Sequence, residues 1–224
     1  MDNRIITIEG NIGSGKSTLL AALKNYYKNN NDIVWLREPV DIWESIKDEN
    51  GATMLQKFYG DQKKYSFPFQ MLAFGSRLKL LKEAIKNNPN KVLITERSLY
   101  TDKFVFAKML HDMKNIESVN YQIYCTWFDI FSEECPIHQC IYVKTEPAIC
   151  HERIEKRSRT GEESIPLDYL VNCNTYHEAM IETITPMFEN KEHDILTLDG
   201  NVNIYEEPSI LEEWIKKIDA LIYV

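Results

Sequence analysis

Five short apolar runs punctuate the chain: Ile5–Ile8, Ile33–Leu36, Val92–Thr95, Cys140–Val143 and Ile195–Leu198. None alternates strictly between apolar and polar positions, which is the pattern of strands covered on both faces. Stretches with helical spacing separate them. Strand alternating with helix argues for an α/β fold built on a parallel sheet. In such sheets ligands gather beyond the carboxyl ends of the strands. The chemistry is therefore expected at Glu9-Gly10, Arg37-Glu38, Glu96-Arg97 and Asp199-Gly200, which end or follow four of the runs. There is no internal repeat, and the polar stretches "KNNND" and "KNNPNK" read as surface loops. A single domain over residues 1–224 is expected.

The longest helical pattern runs from Phe67 through Met71, Phe74, Leu78 and Leu81 to Ile85, a core-facing stripe. Gln70, Ala73 and Arg77 form a neighbouring stripe at steps of three and four. A long amide and a guanidinium beside a core need polar partners. Solvent supplies them if this is a surface flank. The polar edge of a flat heterocycle supplies them if Ala73 leaves room for a ring.

Composition narrows the ligands. Of 224 residues, 44% are hydrophobic and 27% charged, with a net charge of -8. A protein that lived on nucleic acid would lean basic, so general nucleic-acid binding is not expected. Any anionic ligand must meet a local basic cluster. Cys125, Cys135, Cys140, Cys150 and Cys173 form no CxxC pair and share no metal-ligand spacing with the histidines. They read as small buried hydrophobes, and no zinc site is expected. The opening "MDNRIITIEG" is acidic within two residues and enters a strand at once, unlike a signal or transit peptide. No apolar run is long enough to span a membrane, so the cytoplasm is the expected compartment.

The strongest motif is "GNIGSGKS", which fits G-x-x-x-x-G-K-[ST] between an expected strand and an expected helix. The backbone from Gly10 through Asn11, Ile12, Gly13, Ser14 and Gly15 can turn its N–H groups toward phosphate oxygens. The positive end of the helix starting near Lys16 adds to that pull. Lys16 can reach the β- and γ-phosphates, the Ser17 hydroxyl can ligate Mg²⁺, and Thr18 follows in the first turn. A nucleoside triphosphate is the implied ligand; the acceptor is not specified. Glu96-Arg97 could hold Mg²⁺ and steer an oxygen nucleophile, or form a structural ion pair. Arg153, Arg157 and Arg159 in "HERIEKRSRTGEE" are the one dense basic patch. They fit a lid over roughly residues 153–165, or a solvated helix face laced by Glu152 and Glu155.

Taken together, "ITIEGNIGSGKST", "EPVDIW", "FPFQMLAFGSRL", "TERSLYTDKFVFA", "ERIEKRSRTGEESIPLDYL" and "ILTLDGN" resemble, in order and interval, the cellular deoxyribonucleoside kinase family, and within it the deoxycytidine kinase and deoxyguanosine kinase branch. The resemblance covers nearly the whole chain. It implies a P-loop kinase fold, a five-stranded parallel sheet wrapped by helices with an arginine-rich lid, usually a homodimer packed through helices. It implies transfer of the γ-phosphate of ATP or another triphosphate, with Mg²⁺, to the 5′-hydroxyl of a deoxyribonucleoside in nucleotide salvage. By the same resemblance Glu38 is the general base, Arg97 its partner on the hydroxyl, and Glu96 and Ser17 the magnesium side. Gln70 resembles the reader of the base edge and Phe106 the stacking ring, with Trp43, Leu55 and Phe69 lining the pocket. Tyr59 and Glu162 resemble the pair that holds the sugar 3′-hydroxyl. Ala73, Arg77 and Asp102 accompany a preference for deoxycytidine and purine deoxynucleosides; thymidine-preferring relatives tend to lack the aspartate. Arg157 and Arg159 resemble lid arginines on the donor phosphates, and Arg153 is expected over the donor base. Some positions depart from the pattern: Phe58 stands where methionine is usual, Ile204 where an aromatic often follows the strand, and Glu155-Lys156 make the lid helix more charged than in relatives.

Three alternatives share parts of this pattern. A thymidine-preferring deoxynucleoside kinase would use the same machinery with another base. A thymidylate kinase shares the phosphate loop and the "REP" strand end, but its acceptor already carries a phosphate that Glu38 would repel. A regulatory P-loop switch would bind nucleotide without needing Gln70, Tyr59 and Arg77 around an acceptor.

Overall fold

In a computed structural model of the chain, describing residues 3–157, 165–188 and 194–223, five strands form one sheet in the order β2-β3-β1-β4-β5. They are β1 (Arg4–Glu9), β2 (Ile33–Leu36), β3 (Val92–Glu96), β4 (Gln139–Lys144) and β5 (Ile195–Asp199). Every apolar run became a strand, and every neighbouring pair is parallel. Among the described residues the α-helices include α1 (Lys16–Tyr26), α2 (Val40–Ser45), α3 (Met54–Gly60), α4 (Gln62–Asn87), α5 (Leu99–Thr101), α6 (Lys108–Asp112), α7 (Ser118–Phe131), α8 (Pro147–Arg157), α9 (Leu167–Ile184) and α10 (Pro208–Ile222).

Both faces of the sheet are covered, as the missing alternation required. On one side Ile6, Ile8, Ile94, Ile141 and Val143 pack on Leu19, Leu20 and Leu23 of α1 and on Trp214, Ile215 and Ile218 of α10. On the other, Ile5, Leu36 and Leu93 meet Phe74 and Leu81 of α4 and Tyr124 and Phe128 of α7. From the central β1 the chain passes over β3 to the edge strand β2, returns to β3, and then crosses to β4 on the far side. This reversal opens a crevice at the carboxyl ends of the central strands, where such folds bind ligands.

Helix α4 carries the expected stripe, with Phe74 and Leu81 buried and Phe67, Met71, Leu78 and Ile85 partly so. It begins at Gln62, earlier than the apolar pattern indicates. The reason is that "QKKYS" offers no periodic signal, while the Asp61 side chain caps the helix by accepting from Lys64 N–H at 3.1 Å.

Candidate active site

The phosphate loop leaves β1 through backbone shapes that only glycine holds comfortably. Gly10 has φ 145° and Gly13 φ 79°, and a Cβ at either would come within 2.5 Å of a backbone carbonyl, of Val143 or of Cys150. Asn11 locks the turn: its amide donates to Leu170 O at 2.8 Å and its carbonyl accepts from Ile12 N–H at 2.8 Å. Lys16 is buried, with its ammonium on Asn11 O at 2.6 Å. Burial, then Arg97, push that ammonium down to about 8.

The second half of the site centres on Glu38, just past β2. Arg97 Nη1 lies 2.7 and 2.9 Å from its two oxygens, and Arg77 Nη2 lies 3.0 Å from Oε1. Burial alone would push this carboxyl up, but Arg97, then Arg77 and Lys16, outweigh it and hold it near about 2. Glu38 is thus a charged hydrogen-bond acceptor at any physiological pH. Arg77, only 1% exposed, also grips Asp102 in bidentate fashion at 2.9 and 3.3 Å and donates to Glu96 O at 2.8 Å. Burial pushes the Asp102 carboxyl up to about 6 against the pull of Arg77. No sequence spacing marks the link from Arg77 of α4 to Glu38, just past β2.

Arg97 adopts φ 61°, a left-handed backbone that marks functional strain in a residue with a side chain. Its Nε and Nη2 are buried and have no hydrogen-bond partner among the described residues. Its guanidinium lies 5.1 Å from the Phe106 ring centre. Glu96, which closes β3, accepts from the Ser17 hydroxyl at 2.6 Å. These two hard oxygen donors sit beside the phosphate loop, an arrangement that suits Mg²⁺, an ion usually held by one or two protein oxygens plus phosphates and water.

One cavity of about 550 Å³ joins the two halves. On the acceptor side it is lined by Glu38, Trp43, Leu55, Tyr59, Phe69, Gln70, Ala73, Arg77, Arg97, Asp102 and Phe106, and on the donor side by Ile12 through Thr18, Arg153 and Arg157. Gly10 and Asn11 support the loop from behind its lining. Arg159 and Glu162 lie outside the described residues. The Trp43 indole donates to Ser76 Oγ at 3.0 Å and meets Phe69 edge-on at 5.4 Å, which fixes that wall. Phe58 stacks on Phe69 at 4.6 Å, thickening the same wall. Gln70 is buried with its carbonyl oxygen unpartnered among the described residues, so the surface-flank reading of its stripe falls away. Asp102 and Phe106, four residues apart, share one face of the π-helix Asp102–Ala107.

The donor side holds what the sequence reading missed. Arg153 is not free to converge on phosphate with its neighbours. Its guanidinium donates to Gly200 O at 2.8 Å, Val202 O at 3.1 Å and Ser14 O at 3.3 Å, stitching the phosphate loop to the turn after β5. Its partners are backbone carbonyls from distant loops, which leave no mark in side-chain spacing. Lys156, Val202, Asn203, Tyr205 and Trp214 also line this half. Ile204 lines it while packing into the core beside Trp214.

The model of the deoxynucleoside kinase family matches residues 6–223. Human deoxycytidine kinase is 33% identical over 235 residues, covering 95% of this chain and 89% of that protein. A probable deoxycytidine kinase of fowlpox virus (strain NVSL) is 32% identical over 208 residues, covering 90% and 81%. The mitochondrial deoxyguanosine kinase of Xenopus laevis is 28% identical over 243 residues, covering 99% and 91%. With a phosphate loop and a buried carboxylate facing one cavity, and a family match along almost its full length, this chain belongs to the deoxynucleoside kinase family.

Proposed function

We propose that the protein transfers the γ-phosphate of ATP, or another nucleoside triphosphate, to the 5′-hydroxyl of a deoxyribonucleoside, with deoxycytidine or a purine deoxynucleoside favoured. The single observation that carries this reading is the shared cavity, in which the phosphate loop faces a buried, ionised Glu38. A base slides between Phe106 and the Trp43–Phe69 wall, with its polar edge on the Gln70 amide, whose carbonyl oxygen has no partner among the described residues. The sugar lies toward Tyr59, whose ring crowds a 2′-hydroxyl, and its 3′-hydroxyl falls to Tyr59 and Glu162. The 5′-hydroxyl donates to Glu38, and Arg97 offers its Nε and Nη2, which have no partner among the described residues, to the incoming oxygens. In the transfer the bond from O5′ to the γ-phosphorus forms, the bond to the β-bridging oxygen breaks, and the hydroxyl proton passes to Glu38. A carboxylate of such low basicity takes that proton only late, which suits a loose transition state with little early charge on the nucleophile. Lys16, Arg157 and Arg159 carry the charge on the transferring group and the leaving phosphates. Mg²⁺ held by Ser17 and Glu96 would neutralise charge on the β- and γ-oxygens.

A phosphorylated acceptor fits poorly, since Glu38 would face its dianion. The proposed assembly is a homodimer through α7, where Val119 (65% exposed), Ile123 (43%), Trp127 (45%) and Ile130 (58%) form one apolar stripe at helical spacing. No helix among the described residues is long and apolar enough to cross a membrane, and we place the enzyme in the cytoplasm. Incubation of the pure protein with ATP and Mg²⁺ and each of the four deoxynucleosides, or dTMP, tests the reading. Deoxynucleoside monophosphates should form, and conversion of dTMP alone would overturn it.

A further inference from the structure

Glu9 plays no part in the transfer as described, yet it is an expensive side chain to place where it lies. It ends β1, one residue before the phosphate loop, and is fully buried. One carboxylate oxygen accepts from the Thr101 hydroxyl. The other has no partner among the described residues. A half-satisfied buried carboxylate is destabilising, so stability alone does not account for it.

Thr101 belongs to the short block that carries the acceptor chemistry: Arg97 precedes it by four residues and Asp102 follows it. Thr101 and Ser98 cap each other, each backbone N–H donating to the other's hydroxyl at 3.3 Å. The strained backbone of Arg97 must be held by its surroundings. Its N–H donates to Ile8 O at 3.0 Å and its carbonyl accepts from the Thr95 hydroxyl at 3.1 Å. The Ser98–Thr101 cap, anchored on Glu9, closes the remaining side.

We propose that Glu9 is a positioning residue: through Thr101 it fixes the turn from Arg97 to Asp102 against the end of β1, setting Arg97 on Glu38 and Asp102 on Arg77 at a constant distance from the phosphate loop. The inference rests on the transfer reading above, in which Arg97 meets the acceptor oxygen. Thr101→Val removes the hydroxyl and keeps the shape. Because a misplacement near 1 Å can cost 10²-fold, kcat should fall by about 10–100-fold. The calorimetric Kd for ATP should stay within about threefold, since the phosphate loop is untouched. Thr101→Ser, which keeps the hydroxyl, should restore kcat to within about threefold. Glu9→Leu combined with Thr101→Val removes both polar partners, an exchange that can be nearly neutral for stability. That double variant should recover the thermal midpoint but not kcat. Wild-type kcat in Thr101→Val, a Thr101→Ser variant that fails to rescue, or a double variant whose kcat returns with its midpoint would each overturn the proposal. If Thr101→Val does not fold, the double variant decides by the same criterion. Inactivity of the unmodified protein toward every deoxynucleoside is a separate outcome, which would overturn the transfer reading instead.

Discussion

Replacing Glu38 with Gln probes the acceptor side with the least change of shape. The amide keeps the size and one hydrogen-bond acceptor, and it loses the charge that Arg97 and Arg77 converge on. A carboxyl drawn from 4.5 to about 2 favours its charged form by about 3 kcal/mol at 1.36 kcal/mol per pH unit. Glu38→Gln should therefore cost about 3 kcal/mol of folding stability, because the neutral amide stands in for the protonated acid. The sign follows from a depressed folded-state value: the stabilisation is complete above pH 4.5 and is lost as pH falls through about 2. Catalysis should suffer separately. Loss of a general base typically lowers rate by ~10²–10⁴-fold, equivalent to about 3–5 kcal/mol in the barrier. Initial rates of ADP release should be measured well below the melting midpoint of the variant, with deoxycytidine Kd from calorimetry alongside. In Glu38→Gln, kcat should fall steeply while nucleoside binding is nearly kept. A variant with near-normal kcat would refute the role of Glu38, whatever its stability.

Lys16→Ala should lower kcat by on the order of 10²–10³-fold or more while deoxynucleoside binding without ATP survives; loss of both together would point to a damaged fold. Because the Lys16 ammonium is drawn down to about 8 in the free protein, kcat/KM for ATP should decline as pH rises through about 8, and a flat profile to pH 10 would contradict a lowered Lys16 whose charge the donor needs. Arg77→Met with Asp102→Ala removes a buried charged pair that denies room to the thymine methyl, so the ratio of kcat/KM for thymidine to that for deoxycytidine should rise by about tenfold or more; an unchanged ratio would separate these residues from base choice. Trp127→Glu in the α7 stripe should convert a dimer into a monomer in sedimentation velocity, and a wild-type protein that already sediments as a monomer would remove the dimer proposal.

Much of this was legible because the physics was local. Buried parallel strands read as unbroken apolar runs, and all five appeared within a residue or two of their ends. The glycine spacing of the phosphate loop forces one backbone path, so its position and direction followed. The Gln70–Ala73–Arg77 stripe exposed itself by placing polar groups beside a core. What stayed hidden depends on contacts made at long range. Arg77 reaching Glu38, Arg153 holding carbonyls of Gly200 and Val202, and Glu9 receiving the Thr101 hydroxyl each join segments far apart in the chain. No periodicity encodes them. The π-helical turn at Asp102–Ala107 is likewise invisible to a reading based on 3.6-residue spacing.

The central claim is that one cavity brings a γ-phosphate to a nucleoside 5′-hydroxyl. It is tested most directly by identifying the phosphorylated atom, with ³¹P NMR and mass spectrometry of the product formed from deoxycytidine, deoxyadenosine or deoxyguanosine with ATP and Mg²⁺. The geometry predicts a 5′-monophosphate with stoichiometric ADP, and no product from 2′,5′-dideoxynucleosides, which lack the reacting oxygen. Phosphate on the 3′-oxygen, or phosphorylation of dTMP with no activity on any deoxynucleoside, would contradict it.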